Sequence, residues 1–421
     1  MKKKILSVAI LGVGSRGGNA YGSEMHKQSD KFKITAICDV NKEKLKHYGE
    51  LLQVDEANRF DSEDAFFAER RADALIICTF DNMHADECVR AFELGYDVLL
   101  EKPVASKRED CLRIIEAQEK YGRRATVCHV LRYSPIYEKV DELIRDGKIG
   151  RLVHIEASEP VNYWHFSHSF VRGNSGSTER AAPMLISKCC HDLDLIAHYA
   201  GAECDSVSSI GALSFFTPLN APDGSADRCV DCKLIDDCPY SAKKLYIERW
   251  RRLGSPINSW PTAMLATAPI TEEKLLSAIE KGPYGRCVFR CGNNACDNQT
   301  VHMSFKNGVK ASFCVTAFNE DASRRYIFHG TYGAIELTAD AVTLREYGKE
   351  PVIYPVSDMV EAGEEHGGGD VRLIYSFYRE LMGEEKSPTA LENSMEGYLI
   401  AAAAEESRMC GGISVRVRNE E

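Results

Sequence analysis

A glycine-rich turn that follows a short apolar run most constrains how this chain folds. The run ILSVAILGVG, residues 5–14, is rich in β-branched residues, as expected of a strand that is buried on both faces. It leads into the pattern G-x-G-x-x-G at Gly12, Gly14 and Gly17. The first glycine of such a pattern permits a tight turn, the second lets the backbone approach a pyrophosphate, and the third lets a helix pack on the strand. The pattern predicts a dinucleotide-binding unit.

Strand-like and helix-like segments alternate after this turn. Short apolar runs at 32–39, 72–80, 96–103 and 124–133 predict further strands, and the segments between them have helical patterns. Strands that alternate with helices form parallel sheets covered on both faces. We therefore expect an α/β Rossmann-type fold, with a doubly wound parallel sheet.

The end of the second predicted strand favours one cofactor. This strand ends in Asp39, where a carboxylate suits the ribose hydroxyls of NAD and would repel the 2′-phosphate of NADP. The alternative is that Asp39 only caps the next helix. Ser15 lies at the helix N-terminus, which attracts phosphates. We expect Arg16 over the pyrophosphate or in solvent.

The C-terminal half has a different pattern. Strand-like runs at 300–318 and 324–347 follow one another without intervening helices. Asn307 and Gly308 separate two alternating runs, which is a strong hairpin signal. We therefore expect an α+β second domain with an open, largely antiparallel sheet.

These patterns predict two domains. The NAD-binding domain is assigned to residues 1–130 and the substrate and oligomerisation domain to residues 131–421. A cysteine-rich insertion at about 214–298 interrupts the second domain, and helices within 370–410 return toward the first. The glycines of HGGGD, residues 366–370, suit a loop at the substrate or at a partner subunit, or a flexible linker.

The composition excludes several classes of partner. A net charge of −11 argues against nucleic acid or an anionic membrane as the main partner and favours a small molecule. No segment has the apolar span of about 20 residues that a membrane helix needs. The lysines at the N-terminus precede an apolar run that leads into the glycine pattern rather than a cleavage site. We expect a cytoplasmic protein.

Lys102 is the first candidate for chemistry. It lies in the triplet Glu101-Lys102-Pro103, directly after a buried strand. Ligands of doubly wound sheets bind beyond the carboxyl ends of the strands, so Lys102 could reach a substrate beside the nicotinamide. A lysine there could hydrogen-bond a substrate hydroxyl. The alternative is a solvated lysine at a strand end.

Four motifs in order resemble the Gfo/Idh/MocA family of nicotinamide oxidoreductases. They are the glycine pattern, the acidic end of the second strand, TFDNMH at 79–84 and EKP at 101–103. HDLDLIAHYAG, residues 191–201, is similar to the H-x-x-D-L element of the family. The resemblance covers nearly the whole chain except the cysteine insertion, and EKP is its most specific part.

The resemblance implies roles at the matching positions. Lys102 would position or deprotonate a sugar or cyclitol hydroxyl, His191 would be its proton-transfer partner, and Asp194 would bind substrate or orient this network. Asn82 and His84 would lie where cofactor and substrate meet. The resulting cofactor site consists of Gly12, Gly14, Ser15, Arg16, Gly17, Asp39, Thr79, Asn82, His84 and Glu101.

The sequence departs from the family beside His191. Where the family has small residues in D-x-G-x-H, this chain has Ser187, Lys188, Cys189 and Cys190. This departure puts ordinary dehydrogenase substrates in doubt. Lys188 could be a second cationic contact of the substrate, or the segment could be a helix N-terminus with buried cysteines.

A second candidate for substrate binding is the stretch NYWHFSHSFVRG, residues 162–173. Its aromatic and histidine side chains supply the stacking faces and polar tips that suit a sugar ring. The alternative is that they form core or a dimer interface. The candidates for the substrate wall are Tyr163, Trp164, His165, His168 and Arg172.

The insertion contains a possible metal site. Cys229, Cys232 and Cys238 lie within ten residues, and a fourth thiolate would close a tetrahedral zinc site. The stretch 285–296 offers Cys287, Cys291 and Cys296 as this fourth ligand, and we favour Cys287. An iron–sulfur cluster is a weaker alternative because the spacing differs from the usual cluster motifs. Free buried thiols or a disulfide also stay open. A closed site would be structural rather than catalytic.

The leading hypothesis is an NAD-dependent oxidoreductase that acts on a sugar, sugar derivative or cyclitol. A first alternative is a glycosidase that uses NAD catalytically, by oxidation, elimination, hydration and reduction. A second is a non-catalytic NAD sensor. By resemblance, we also expect a homo-oligomer formed through the sheet of the second domain.

Overall fold

The computed structural model describes residues 4–178, 181–361 and 365–418. Its N-terminal part is a six-stranded sheet with the strand order β3-β2-β1-β4-β5-β6, in which every pair is parallel. This is the predicted doubly wound sheet. The strands are β1 (Leu6–Leu11), β2 (Phe32–Cys38), β3 (Arg59–Phe60), β4 (Ala74–Ile77), β5 (Asp97–Leu100) and β6 (Ala125–Val127).

Helices connect these strands. A π-helix, Ser15–Gly22, follows the glycine turn and continues directly into the first α-helix. The α-helices of this part are α1 (Ser23–Lys27), α2 (Lys42–Leu51), α3 (Glu63–Phe66), α4 (His84–Glu93), α5 (Arg108–Tyr121) and α6 (Pro135–Arg145).

The last strand of this sheet is shorter than the sequence predicts. β6 ends at Val127, and Val130–Tyr133 form a 3₁₀ turn. The outer edge of β6 is covered, because Thr126 pairs with Ala390 and the Val127 N–H donates to the Thr389 carbonyl. This C-terminal segment leaves no room for another strand at that edge.

The second sheet has nine strands in the order β14-β13-β12-β11-β7-β10-β9-β8-β15. β7 and β10 are parallel, and the other pairs are antiparallel, which confirms the predicted open, largely antiparallel sheet. Its strands are β7 (Leu152–Asn162), β8 (Cys204–Ala212), β9 (Asn298–Phe305), β10 (Lys310–Asn319), β11 (Arg325–Gly330), β12 (Gly333–Leu337), β13 (Ala341–Glu346), β14 (Val352–Pro355) and β15 (Val415–Arg416).

The predicted hairpin is present between β9 and β10. Gly308 has a φ of +94°, a conformation that favours glycine. Along β10, buried and more exposed residues alternate, so one face of the sheet packs on the core and the other faces outward.

The cysteine-rich insertion joins two neighbouring strands. Residues 213–297 connect β8 to its antiparallel partner β9. The insertion has a small apolar cluster of its own, in which Leu245, Tyr246, Trp250 and Leu275 are buried. Three α-helices between β7 and β8 precede the insertion in the chain: α7 (Tyr163–Phe166), α8 (Met184–Ser187) and α9 (Cys190–Ala200). The insertion itself contains a π-helix (Lys243–Glu248) and the α-helices α10 (Arg249–Arg252) and α11 (Glu272–Lys281).

Two C-terminal helices, α12 (Gly369–Leu381) and α13 (Leu391–Met409), pack against different parts of the molecule. α12 lies against the first sheet, where the Tyr378 ring meets the edge of Phe32 at 5.5 Å and its hydroxyl donates to the Lys4 carbonyl. α13 packs mainly on α9 and β8. Within the described residues, no helix is both long and apolar enough to span a membrane.

Glu87 on α4 provides a test of this packing. It is 1% exposed, accepts a hydrogen bond from the Thr79 hydroxyl, and burial raises its pKa to about 8. Between pH 4.5 and about 8, the Glu87 carboxyl is protonated in the folded protein but ionised in the unfolded chain. The free energy of unfolding therefore decreases as the pH rises through this range.

We expect Glu87→Gln to raise the free energy of unfolding at pH 9 by roughly 1–3 kcal/mol relative to wild type, and much less at pH 5. Urea unfolding at both pH values measures this difference. Glu119→Gln, on the exposed side of α5, is the matched control. An equal change at both pH values would contradict the buried, protonated state of Glu87.

Candidate functional site

The glycine turn leaves space at one position and is tightly packed at the other two. Gly12 has a φ of +88°, and a Cβ there would lie 2.5 Å from the carbonyl oxygen of Cys78. A Cβ on Gly17 would lie 2.1 Å from the Gly12 carbonyl oxygen, so the π-helix approaches the turn closely. A Cβ on Gly14 would meet no atom within 4 Å. The backbone at Gly14 is therefore open to a ligand.

Arg16 turns inward from this loop. Its Nε donates to Glu101 Oε1 at 2.7 Å, and its Nη2 donates to Asp370 Oδ1 and to the Tyr21 hydroxyl, each at 2.5 Å. His366 donates to the other oxygen of Asp370 at 2.8 Å. Two buried carboxylates thus hold the Arg16 guanidinium toward the protein interior rather than in solvent, and its contact with the pyrophosphate stays a prediction.

Glu101 anchors the same loop from the sheet. It is buried, and its two oxygens accept hydrogen bonds from Arg16, the Tyr21 hydroxyl and the Lys102 backbone N–H. Although burial alone would raise it, the charge of Arg16 keeps the pKa of Glu101 below its ordinary value. Glu101 thus connects Arg16 of the glycine loop to Lys102 through hydrogen bonds.

A cleft of about 500 Å³ lies beside the glycine turn. Gly14 and Ser15 line one side, Lys44 and Tyr48 of α2 another, and the insertion segment 258–268 closes over them. Asp39 follows β2, and its carboxylate accepts the Asn41 N–H at 2.8 Å. The cap of α2 is Asn41 rather than Asp39, because Asn41 Oδ1 accepts from the N–H groups of residues 43 and 44.

The three candidates in TFDNMH differ in environment. Thr79 is partly buried and bonds to Glu87, whereas Asn82 is exposed. His84 is buried at the start of α4, and its Nδ1 donates to the Pro103 carbonyl at 2.8 Å. His84 therefore supports the EKP turn.

Lys102 reaches from the first sheet to the second domain. Its Nζ donates to the backbone carbonyl of Ser187 at 3.0 Å. Ser187 ends α8, and His191 lies on the first turn of α9. The structure thus brings Lys102 to the segment that carries His191, as the motifs predict.

His191 and Asp194 lie one helical turn apart on α9, and both are buried. Burial and the charge of Lys102 hold the pKa of His191 well below its ordinary value, so its imidazole is neutral near pH 7. Asp194 lies 3.9 Å from Arg132 Nη1 and 4.0 Å from His129 Nε2. This arrangement can accept a proton at His191.

His129 is a site residue that sequence analysis missed. Its ring is 1% exposed and lies 5.6 Å from the His191 ring. Neither of its ring nitrogens has a hydrogen-bond partner among the described residues. The sequence offered one signal for His129, which is its position directly after the strand β6. Ligands of doubly wound sheets bind beyond the carboxyl ends of the strands, and this rule applies to His129 as it does to Lys102.

A buried ion network flanks Lys102 on the second domain. Lys188 Nζ lies 3.2 Å from Glu159 Oε1, and Arg324 bridges Glu159 at 2.5 Å and Asp192 at 2.8 Å. The carboxylates of Glu159 and Asp192 are almost fully buried. Lys188 is therefore held in place by Glu159, which sequence analysis also missed because it lies on a strand far from α9 in the chain.

His165 is the residue of the aromatic stretch that faces this network. Burial, followed by the charges of Lys188 and His168, holds the pKa of His165 well below its ordinary value. Its ring also lies 4.7 Å from Trp260 of the insertion. His165 thus stands between the cationic network and the insertion.

The neighbouring aromatics pack on the insertion. The Trp164 ring lies 5.1 Å from Trp260 and 3.9 Å from the Arg249 guanidinium carbon, and the Tyr163 ring lies 6.0 Å from Tyr240. Tyr163 and Trp164 therefore lie where the predicted substrate wall contacts the insertion.

His168 and Arg172 do not lie at the substrate surface as predicted. Both are almost fully buried at the insertion. His168 stacks on Tyr284 at 4.7 Å and shares a hydrogen bond with Tyr246. Both residues belong to the π-helix Ser167–Arg172, and their side chains pack among residues of the insertion.

The predicted zinc site is not found as a formed metal centre. In the chain outside residues 1–3, 179–180, 362–364 and 419–421, no three His, Cys, Asp or Glu side chains are arranged to hold an ion. The four predicted ligands nevertheless line one common cavity. They are Cys229, Cys232, Cys238 and Cys287.

Two family models match most of the chain. One, described as an oxidoreductase family with an NAD-binding Rossmann fold, matches residues 6–129. The other, described as the C-terminal alpha/beta domain of an oxidoreductase family, matches residues 141–412.

Curated relatives are similar at low identity. The protein YteT of Bacillus subtilis is 24% identical over 403 residues, which cover 88% of each chain. An inositol 2-dehydrogenase of Streptomyces avermitilis is 26% identical over 230 residues, 53% of this chain and 61% of that protein. The 2,7-anhydro-N-acetylneuraminate hydratase of Mediterraneibacter gnavus is 23% identical over 334 residues, 78% of this chain and 77% of that protein.

Solved structures share the fold. The WlbA dehydrogenase of Chromobacterium violaceum, solved with NADH and UDP-GlcNAcA, has a TM-score of 0.70 at 15% identity. The match covers 100% of this chain and 98% of that one.

The Arg16 network is open to a direct test. Although burial alone would raise it, the hydrogen bond from His366 and the charge of Arg16 lower the pKa of Asp370 to about 2. We expect Asp370→Asn to lower the free energy of unfolding at pH 7 by roughly 3 kcal/mol, because Arg16 loses a buried partner. Thermal or urea unfolding measures this loss.

Asp30→Asn is the matched control, since Asp30 forms only an exposed pair with Lys31, and exposed pairs contribute about 0–1 kcal/mol. Equal stability losses in the two variants would show that the Arg16–Asp370 pair does not hold the loop.

Proposed function

Because the chain belongs to the Gfo/Idh/MocA oxidoreductase family, we propose that it transfers a hydride between NAD and a hydroxyl-bearing carbon of a sugar, sugar derivative or cyclitol. One observation carries this proposal: Lys102 at the carboxyl edge of the cofactor sheet is hydrogen-bonded to the segment that presents a neutral, buried His191. A hydroxyl placed between them meets a donor and a proton acceptor.

The proposed cofactor site is the cleft beside the glycine turn. Gly14 gives its backbone to the pyrophosphate, and the N-terminal N–H groups of the π-helix at Ser15 face the same space. Asp39 is proposed to accept hydrogen bonds from the ribose hydroxyls, which favours NAD over NADP. NAD, when bound, supplies the hydride acceptor or donor.

The protein residues handle the proton. Lys102 is proposed to donate a hydrogen bond to the reacting oxygen and to stabilise negative charge that develops on it. His191 is proposed to accept the proton in the oxidation direction. Its lowered pKa leaves the imidazole neutral near pH 7 and therefore free to accept a proton, although the same shift makes it a weaker base than an exposed histidine. Asp194 lies close to Arg132 and His129 and is proposed to orient these polar side chains beside α9.

The substrate class is proposed from the wall around Lys102. His165 supplies an aromatic face, and Lys188, fixed by Glu159, supplies a cation near the reacting position. Such a wall suits a polar ring with several hydroxyls. The relatives named for inositol and for a sialic acid derivative agree with this class.

Lys102→Ala tests the catalytic assignment. We expect the substitution to lower kcat by about 10²–10⁴-fold, the usual contribution of a positioned acid–base group, and to leave NAD affinity unchanged. NADH formation over a panel of sugars and cyclitols, with NAD titration by fluorescence, measures both quantities. Lys107→Ala, an exposed lysine nearby, is the control. A fully active Lys102→Ala enzyme would remove Lys102 from the mechanism.

A second function is favoured by the insertion. Segment 258–268 of the insertion lines the cleft together with Gly14 and Ser15 of the glycine turn and Tyr48 of α2, so a cofactor bound there would lie against this segment. A cofactor held there would exchange slowly. This suits an NAD-dependent glycoside hydrolase, which oxidises a ring hydroxyl, eliminates the aglycone, adds water and reduces the ring again, so that NAD returns to its starting state.

Product analysis separates the two functions. The enzyme, saturated with NAD, is incubated with free polyols and with aryl glycosides. NADH accumulation from free polyols, with no aglycone release, is the result that we expect. Aglycone release without net NADH would replace the dehydrogenase with the glycosidase. Tight NAD binding without either reaction would indicate a non-catalytic sensor.

Two further properties are proposed by the family resemblance alone. One is a homo-oligomer that associates through the outer face of the nine-stranded sheet, where Ile210 and Phe318 are exposed large apolar side chains. The other is the division of the chain at residues 130 and 131 into cofactor and substrate domains.

A further inference from the structure

Two loops of the insertion that carry cysteines are fastened side by side. Arg228 and Arg286 form an isolated antiparallel bridge, and the Cys287 N–H donates to the Asp227 carbonyl at 2.8 Å. Cys229 and Cys287 each directly follow a bridged residue. Residues 60 positions apart in the chain are thereby held next to each other by backbone hydrogen bonds.

These loops enclose a cavity. Cys229 and Cys287 line it together with Cys232 and Cys238, and the rest of the wall is mainly apolar. The Ala242 N–H donates to Cys229 Sγ at 3.4 Å. Thiolates that bind metals commonly accept such additional hydrogen bonds, because these bonds stabilise the charge on sulfur.

Arg172 supplies an independent observation. Its side chain is 1% exposed and lines the same cavity. Its Nε donates to the Arg286 carbonyl and its Nη2 to the Tyr240 carbonyl, each at 2.7 Å, and Nη2 also lies 3.5 Å from Cys229 Sγ. Nη1 has no hydrogen-bond partner among the residues that the structure describes.

The charge of Arg172 is uncompensated by these contacts. None of the ion pairs between described residues joins Arg172 to a carboxylate. Two carbonyl oxygens and Cys229 Sγ replace part of the hydration that Arg172 loses, but a buried cation without an anionic partner is still unfavourable. An anionic group within the cavity would remove this cost.

We propose that Cys229, Cys232, Cys238 and Cys287 bind one Zn²⁺ ion and that Arg172 is the counter-charge of this centre. Four thiolates and one divalent cation carry a net charge of about −2, so a neighbouring guanidinium stabilises the centre. Binding draws the four Sγ atoms together across the cavity that they now line. Each thiol releases a proton as it binds the metal.

The centre would fix the substrate wall without taking part in hydride transfer. Arg172 ends the π-helix that begins directly after the segment containing Trp164 and His165. A closed four-thiolate site has no open position for a substrate. The proposal therefore does not depend on the hydride chemistry and could hold if that function were wrong.

Cys291 offers a matched control. Its thiol donates to the Cys287 carbonyl at 3.1 Å, and it is absent from the lining of the cavity. Replacing it tests whether the loss of any nearby cysteine releases the metal.

The experiment measures zinc per chain by inductively coupled plasma mass spectrometry in the full-length protein, purified without chelators. We expect about one zinc per chain in wild type and in Cys291→Ser, and at least a tenfold lower content in Cys232→Ser. Arg172→Gln is expected to lose its zinc to EDTA about tenfold faster than wild type.

Wild-type protein without zinc, or Cys232→Ser with wild-type zinc content, would overturn the proposal. Stoichiometric iron and sulfide in place of zinc would also overturn it. Where Cys232→Ser does not fold, a mercurial that titrates the thiols of wild-type protein should release one zinc per chain, and thiol modification without zinc release would overturn the proposal.

Discussion

The ion pair cluster around Arg16 joins the three segments on which the site depends. Arg16 belongs to the glycine loop, Glu101 immediately precedes the catalytic candidate Lys102, and Asp370 begins the helix that packs on the first sheet. The chain brings these residues together from distant positions. Because two carboxylates contact one guanidinium, the glycine loop and the strand end that carries Lys102 keep a fixed relative position.

Sequence patterns predicted the parts of the molecule that are local. The glycine turn, five strands of the first sheet and the strands β9 to β13 of the second follow from short-range rules of packing and backbone conformation. The strands β3, β7, β8, β14 and β15 were not predicted, because their patterns are short or irregular. The side-chain partners were less accessible. Arg16 turns inward because of Asp370, which belongs to the segment HGGGD whose role sequence analysis left open. His129 belongs to none of the motifs that carry the family resemblance. His168 and Arg172 belong to a π-helix, which no periodicity in the sequence indicates.

The insertion is the feature that departs most from a minimal two-domain oxidoreductase. It joins two adjacent strands, yet its segment 258–268 reaches the glycine turn of the other domain. Trp260 lies in this segment and also contacts His165 beside the cationic network. One added segment therefore lines the cleft that we propose for the cofactor and contacts the wall that we propose for the substrate. This double contact is the structural reason to consider a reaction in which NAD is not exchanged.

The central claim is that Lys102 and His191 meet the substrate beside the nicotinamide. A crystal structure of the NAD complex tests it most directly. We expect the pyrophosphate at Gly14 and Ser15 and the nicotinamide ring beside Lys102, with its C4 facing the space between Lys102 and His191. A nicotinamide ring placed away from both side chains, or NAD bound outside the cleft at Gly14, would contradict the account.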